Sequence, residues 1–380
     1  MAKLIDITGK ALSGEWGSDD ETGTGIPVLR TTNFTNEGII NYDDVVSRKI
    51  SQKNINEKYL RSGDIIIEKS GGSDKFPVGR VVYFDGPDKT YLFNNFTGVL
   101  RVKDQQMWHP RYVFYSLFSN YRRGGTRAFE NRTTGLHNLK TDDYVSKYEV
   151  AGRDYEEQIT ICEKLDKIYA IIKYREQEIK SLDDLISARF VEMFGDPLDK
   201  KIANMIFTEC LEFNPKKSEV KNLQDIKASF VPMECIGTDG SFTIRDSGKV
   251  REYYKGYTYF RDGDVLLAKI TPCFENGKVA IAEGCENGIG FGTTEFHVFR
   301  PKCGISNSYW IKYLLKNEGV HKLATMNMSG SAGQKRIQTP FFQKLKIFLP
   351  PLELQNQFAD FVRSTDKLKL ATSPQTTFAA

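Results

Sequence analysis

The chain has 380 residues, 40% apolar and 27% charged, with a formal net charge of +4. That length is ample for two domains with proper cores, and the composition is that of an ordinary globular protein rather than a fibrous or disordered one. No apolar run approaches membrane-spanning length, and the mild positive balance neither demands nor opposes a nucleic-acid partner.

Met1–Lys10 lacks an apolar core flanked by basic residues, so no signal peptide is expected. Cys162, Cys210, Cys235, Cys273, Cys285 and Cys303 are scattered without a CxxC pair, which fits free thiols in a reducing cytoplasm. His109, His137, His297 and His321 neither pair at helical spacing nor accompany paired cysteines, so no zinc site is expected.

Residues 1–150 read as short strands broken by turn residues, and form a first domain. Ile26–Arg30 is a strand followed by the polar Thr31-Thr32-Asn33. Leu60–Lys69 is a turn at Gly63-Asp64 feeding a buried strand. The Gly-rich loop Ser70–Gly79 leads into a strand at Arg80–Phe84, and Tyr112–Phe118 predicts an aromatic-rich helix. Thr133–Leu139 predicts a loop. Residues 151–197 form a spacer. Within it Asp154–Phe194 holds no Gly or Pro and repeats apolar residues at spacings of three and four: Ile161, Leu165, Ile168, Ile172, Ile179, Leu182, Ile186 and Met193. That heptad seam, interrupted by Arg175 and Arg189, predicts one long helix of ~60 Å that buries a narrow stripe against another helix. Gly195-Asp196-Pro197 ends it.

The first domain then returns over residues 198–349. Arg261–Lys269 matches Arg61–Lys69 in character, and Gly277–Gly284 echoes Gly79–Gly86 two residues out of register. Trp310–Leu315 stands for Tyr112–Leu117, and Ala332–Ile337 for Thr134–Leu139. Four matches in order at nearly constant offset mean a duplicated unit of body plus helix. Pro350-Pro351 opens the second helix, predicted over residues 350–370 with Leu354, Phe358, Phe361 and Leu368 on one stripe. It is predicted to pair antiparallel with the first. Residues 371–380 carry no heptad and are expected to form a loose tail or an early stop.

Signals of catalysis are sparse. There is no GxxxxGK[ST] phosphate loop and no Asn-Pro-Pro-Tyr-like motif. Gly288-Ile289-Gly290-Phe291-Gly292 is followed by a strand-like Thr293–Phe296 rather than a helix, so a flexible loop is expected there instead of a cofactor turn. Glu68-Lys69 lacks the spaced carboxylates of a metal-dependent nuclease and reads as core or rim packing.

Charge placement is more informative. Arg111, Arg122, Arg123, Arg127, Arg132 and Lys140 stand against the single acid Glu130, and Lys312, Lys316, Lys322, Lys335 and Arg336 against Glu318. The same imbalance in both copies favours phosphate contact over an idle solvated face. The interleaved aromatics are assigned to the core. The copies differ most in their loops, Arg30–Thr35 against Glu234–Asp239 and Ser70–Val78 against Ile270–Asn276, as two modules reading different bases require. The candidate DNA-contacting residues are Arg30, Asn33, Lys69, Lys75, Arg122, Arg123, Arg127, Arg132 and Lys140 in the first copy, with Lys269, Lys278, Lys335 and Arg336 in the second.

This organisation resembles the specificity (S) subunits of Type I restriction–modification systems. The resemblance spans nearly the whole chain. It rests on the duplication and on Gly63-Asp64-Ile65-Ile66, Gly263-Asp264-Val265-Leu266, the stretches Thr134–Leu139 and Gly333–Ile337, Glu156-Glu157-Gln158-Ile159 and Leu349-Pro350-Pro351-Leu352-Glu353. It implies an α+β fold of two tandem target-recognition domains separated by long antiparallel coiled-coil helices. Each domain would read one half of a bipartite double-stranded DNA site. The helices would fix the distance between halves and dock two modification (methyltransferase) subunits. S-adenosylmethionine would belong to those subunits, and ATP and Mg to restriction subunits, leaving this chain without cofactor or catalysis. A stand-alone DNA methyltransferase or nuclease with an unrecognised site, and a protein-binding coiled-coil scaffold, are the alternatives.

Overall fold

A computed structural model describes residues 1–51, 55–73, 76–133, 136–331 and 333–372, with the side chains of Arg132, Thr133, Leu136 and Thr372 outside the described part. The chain divides into two compact units, Met1–Ile171 and Ile172–Ala380. The division falls inside a continuous helix, Tyr155–Phe194.

In the first unit an antiparallel sheet orders its strands Leu12–Ser13, Thr97–Leu100, Ile65–Glu68, Val81–Tyr83. Ile65 lies opposite Leu100 and Tyr83, which fixes the register. Its central strand is a continuous apolar run because both faces are covered: Ile65 and Ile67 face one core with Val113 and Leu117, while Ile66 faces another with Phe84 and Phe93. The second unit repeats the order with Leu211–Phe213, Phe296–Pro301, Val265–Ala268 and Val279–Ile281. A second sheet recurs as well, and in each unit it contains one parallel pair: Ile26–Leu29 with Leu92–Phe93, and Lys227–Val231 with Ile289–Gly292. The duplication therefore holds at the level of strand pairing.

Several expectations change. Thr133–Leu139 is not a loop, because Glu130–Thr133 and Leu136–Leu139 pair as a hairpin; Thr134 and Gly135 lie outside the described residues. In the second unit Arg336–Ile337 pairs with Met328–Ser329, and Ala332 is outside the described residues. The stretch expected to be a flexible loop, Gly288–Gly292, supplies the buried strand Ile289–Gly292. Its glycines make room for neighbours: a Cβ on Gly290 would lie 2.0 Å from the Phe260 ring, and one on Gly292 2.6 Å from the Val231 carbonyl.

The long helix ends as its sequence requires. Gly195 takes φ 67° and donates its N–H to the Val191 carbonyl at 2.8 Å. Its seam, however, is not one buried stripe. Ile161 and Leu165 pack on the first unit's core, and Ile186 and Met193 on the second's. Ile179 and Leu182 are half-buried, whereas Ile168 and Ile172 are 52% and 37% exposed.

The C-terminal helix, Leu352–Thr372, is antiparallel to the last turns of the long one. Phe358 meets Phe190 and Phe194 edge-on at 5.4 and 5.5 Å, and Lys369 donates to Asp183 at 2.6 Å. Its buried face carries Gln355, Phe358, Ala359, Val362 and Thr365. Leu354 and Leu368 are exposed, and Phe361 only packs at the core's edge. The expected stripe was rotated because two buried positions are polar. Gln355 and Thr365 satisfy themselves on backbone carbonyls. Residues 373–380, most of the expected tail, lie outside the described residues.

Candidate nucleic-acid interface

Two polar devices hold each frame rigid beneath its loops. In the first unit the buried Asp64 caps its own turn by accepting from the Arg61 N–H at 2.9 Å. It also takes Arg101 through Nε at 2.7 Å and Nη2 at 2.6 Å. Asp264 does the same with the Arg261 N–H at 2.8 Å and with Arg300 at 2.8 and 2.9 Å. Likewise Gln158 accepts from the His109 N–H at 2.9 Å and donates to the Met107 and Arg153 carbonyls. Gln355 accepts from Asn307 at 2.9 Å and donates to Ile305 and Pro350. Each glutamine ties the start of a long helix to the start of the helix in its own domain, leaving few orphan groups in buried surroundings.

Above this frame a cation secures the first variable loop from inside. Arg80 donates to the Thr31 and Phe34 carbonyls, both at 2.9 Å, and Lys278 donates to the equivalent Met233 carbonyl at 3.0 Å. Arg80 also lies 3.4 Å from Glu68, whose carboxyl is pushed up by burial against the pull of that guanidinium. Lys278 thus supports a backbone carbonyl of its own unit. Arg30 and Asn33 are also engaged within their own unit. Asn33 is buried, accepting from the Arg30 N–H at 2.8 Å and donating to the Asn41 and Asp44 carbonyls. Arg30 is engaged by Asp44 at 2.8 Å.

Three of the expected arginines do come together. Arg122 ends the helix Pro110–Arg122, Arg123 caps it, and Arg127 lies in the short helical turn Gly125–Phe129. With Asn36, Glu37, Phe76, Pro77, Tyr121 and Gly124 they line an open cleft of about 590 Å³. Arg122 donates to the Asn36 carbonyl at 3.3 Å, and Arg123 to the Ser119 hydroxyl at 2.8 Å. Among the described residues neither guanidinium has a carboxylate partner, so both keep donors for an anion. The cleft brings Phe76 and Pro77 of the variable loop Ser70–Val78 beside Asn36 and Glu37, which follow the other variable loop, Arg30–Thr35. Lys69 and Lys140 are elsewhere, in a cleft of about 460 Å³ with Ser13 and with Asp142 and Asp143, which offset them. Burial, with Lys58 nearby, lowers the Lys69 ammonium against the pull of Asp142. Arg111 is bound to Asp166 at 2.7 Å. Lys75 and the Arg132 side chain lie outside the described residues.

Only part of the basic run of the second unit turns inward. Lys312 donates to the Gly240 carbonyl at 3.1 Å, and burial, aided by Lys316 and Lys369, holds its ammonium down at about 8. Arg336 is chelated by Glu295 at 3.0 and 3.1 Å. Lys269 is half-buried and uses its backbone to bridge Glu295 and Ile337. Lys335 and Lys322 are exposed.

Sequence reasoning passed over Asn36 and Glu37, reached Phe76 only as part of the loop Ser70–Val78, and assigned Tyr121 to the core, where it is buried. Phe76 carried a signal, being a large aromatic within a Gly, Ser and Asp loop, and it is 45% exposed. No helix among the described residues is long and apolar enough to cross a membrane, and they hold no group of three or more His, Cys, Asp or Glu suited to a metal.

The family model described as Type I restriction modification DNA specificity domain matches residues 2–183 and again 209–376. The chain belongs to this family. Among curated relatives, it is 44% identical over 167 residues to the Type I restriction enzyme EcoAI specificity subunit of Escherichia coli, a match covering 43% of this chain and 27% of that protein. It is 45% identical over 148 residues to the EcoEI specificity subunit of the same organism, covering 38% and 24%. The chain thus spans about a quarter of the length of the curated relatives it matches. Its fold is similar to a crystal structure of the S subunit from M. genitalium, with a TM-score of 0.52 and 14% identity over 97% of this chain and 90% of that one. A chain of a type I R-M system gives a TM-score of 0.51 with 16% identity, covering 98% and 92%.

Proposed function

We propose that this chain is a non-catalytic DNA sequence-recognition subunit whose two halves, residues 1–150 and 198–349, each read one part of a bipartite duplex site. Residues 151–197 and 350–370 are the spacer helices. Family membership supports the reading, and the observation that carries it is the cleft in which Arg122, Arg123 and Arg127 stand beside Phe76 and Pro77 of the divergent loop Ser70–Val78. Phosphates supply affinity and position at such a cleft, while loop side chains reach base edges.

In this reading the chemistry belongs to partners. Two modification subunits use S-adenosylmethionine to methylate adenine, and restriction subunits use ATP and Mg for translocation and cleavage. The setting is the cytoplasm. The test is binding of duplex DNA by the purified chain between ~50 and ~200 mM salt, where several phosphate contacts give a steep loss of affinity. Salt-independent binding, or none, contradicts the proposal.

A further inference from the structure

The second unit holds a groove with no counterpart in the chemistry of the first. It encloses about 860 Å³ between the segment after the long helix, the helix Glu318–Met326 and the short helix Thr339–Lys344. Leu198, Leu323, Pro340 and Phe341 give it an apolar floor, and Lys200, Lys344 and Lys346 stand around it. No acidic residue lines it, and among the described residues none of the three lysines has an ion-pair partner.

The duplication supplies an internal comparison. Leu139 and Ile337 donate their N–H groups to the Lys69 and Lys269 carbonyls at 2.8 and 2.9 Å, which aligns the helices that follow. Tyr144 and Phe342 are then equivalent, and both are buried. Immediately before them the first unit carries exposed Asp142-Asp143, where the second carries Pro340-Phe341 facing the groove. The core needs the aromatic at Phe342 in both copies. It does not need an apolar pair in front of it, since the first copy folds with two carboxylates there.

We propose that this groove docks an acidic amphipathic helix of a protein partner that engages the second unit and not the first. The floor matches the apolar stripe of such a helix, and the three lysines match flanking carboxylates. A nucleic acid would use the lysines and leave the apolar floor in water, so it is the poorer fit.

The test uses the full chain and a fluorescent synthetic peptide of about five helical turns, with Leu on one stripe and Glu elsewhere. We expect a Kd on the order of 10 µM. The triple variant K200E/K344E/K346E should bind it about tenfold more weakly, and should bind instead the same peptide with Lys in place of Glu. A photo-cross-linker on the stripe should label residues 340–346 of the unaltered chain, a readout independent of any variant. Absence of binding, affinity unmoved by the charge reversal, labelling elsewhere, or displacement of the peptide by an equal concentration of random duplex DNA would each overturn the proposal.

Discussion

Arg101 grips Asp64 at two points, Nε to Oδ1 at 2.7 Å and Nη2 to Oδ2 at 2.6 Å, with Asp64 only 1% exposed. The carboxylate also fixes the turn that launches the central strand, so it serves sheet and turn together. Its removal leaves a guanidinium facing a half-buried void and a backbone N–H without an acceptor. We expect Asp64→Ala to destabilise the first unit by about 3–5 kcal/mol. Asp264→Ala should act alike on the second. Urea unfolding followed by fluorescence checks this, and an unchanged midpoint would mean that the pair is ornamental.

The arginine cleft makes a paired prediction of opposite sign. Arg122→Ala and Arg123→Ala should each weaken duplex binding for every sequence and reduce the salt slope by about 0.9 for each phosphate no longer neutralised. Glu37 lines the same cleft and opposes phosphate approach. Glu37→Gln should therefore raise sequence-independent affinity several-fold, in keeping with about 1 kcal/mol for a charge near the surface. Anisotropy titrations at two salt concentrations measure both. Arginine and glutamate variants moving the same way would contradict a phosphate cleft.

Much of the frame is legible in the sequence because its signals are local. Gly63-Asp64 and Gly263-Asp264 precede apolar runs, and a stretch without Gly or Pro from Asp154 to Phe194 leaves a helix as the natural reading. What escapes is the purpose of polar and glycine residues. Nothing in the sequence tells that Arg30, Asn33 and Lys278 bond backbone carbonyls or an aspartate that only the fold brings near. Gly290 looks like loop flexibility and is a space left for Phe260. The hairpin at Glu130–Leu139 is hidden because its strands are polar, so no apolar alternation announces them.

The long helix offers a stability test of where its seam is buried. Ile168→Gln and Ile172→Gln alter exposed positions and should cost within about 0.5 kcal/mol. Phe190→Ala removes a ring packed at 5.0 and 5.4 Å on Phe194 and Phe358, and should cost about 3–5 kcal/mol. Equal costs at both places, in the same unfolding experiment, would contradict the burial described above.

His297 gives the second unit an acid sensitivity. It is 4% exposed, its Nε2 lies 3.0 Å from the Ile337 carbonyl, and burial lowers its imidazole from 6.5 to about 4. The unfolded chain therefore binds a proton that the folded one refuses, and stability falls as pH drops from about 6.5 towards about 4. Between pH 7 and pH 5 that loss is about 2 kcal/mol. His297→Gln should flatten the decline by this amount, and an identical pH profile would show that the imidazole does not titrate in this way.

The most direct measurement of the central claim is selection of bound duplexes from a random DNA library by the purified chain, followed by sequencing. We predict two specified blocks separated by unspecified bases, with substitutions in the loop holding Phe76 and Pro77 changing one block and leaving the other intact. A single continuous block, no enrichment, or both blocks changing together would contradict a bipartite reader.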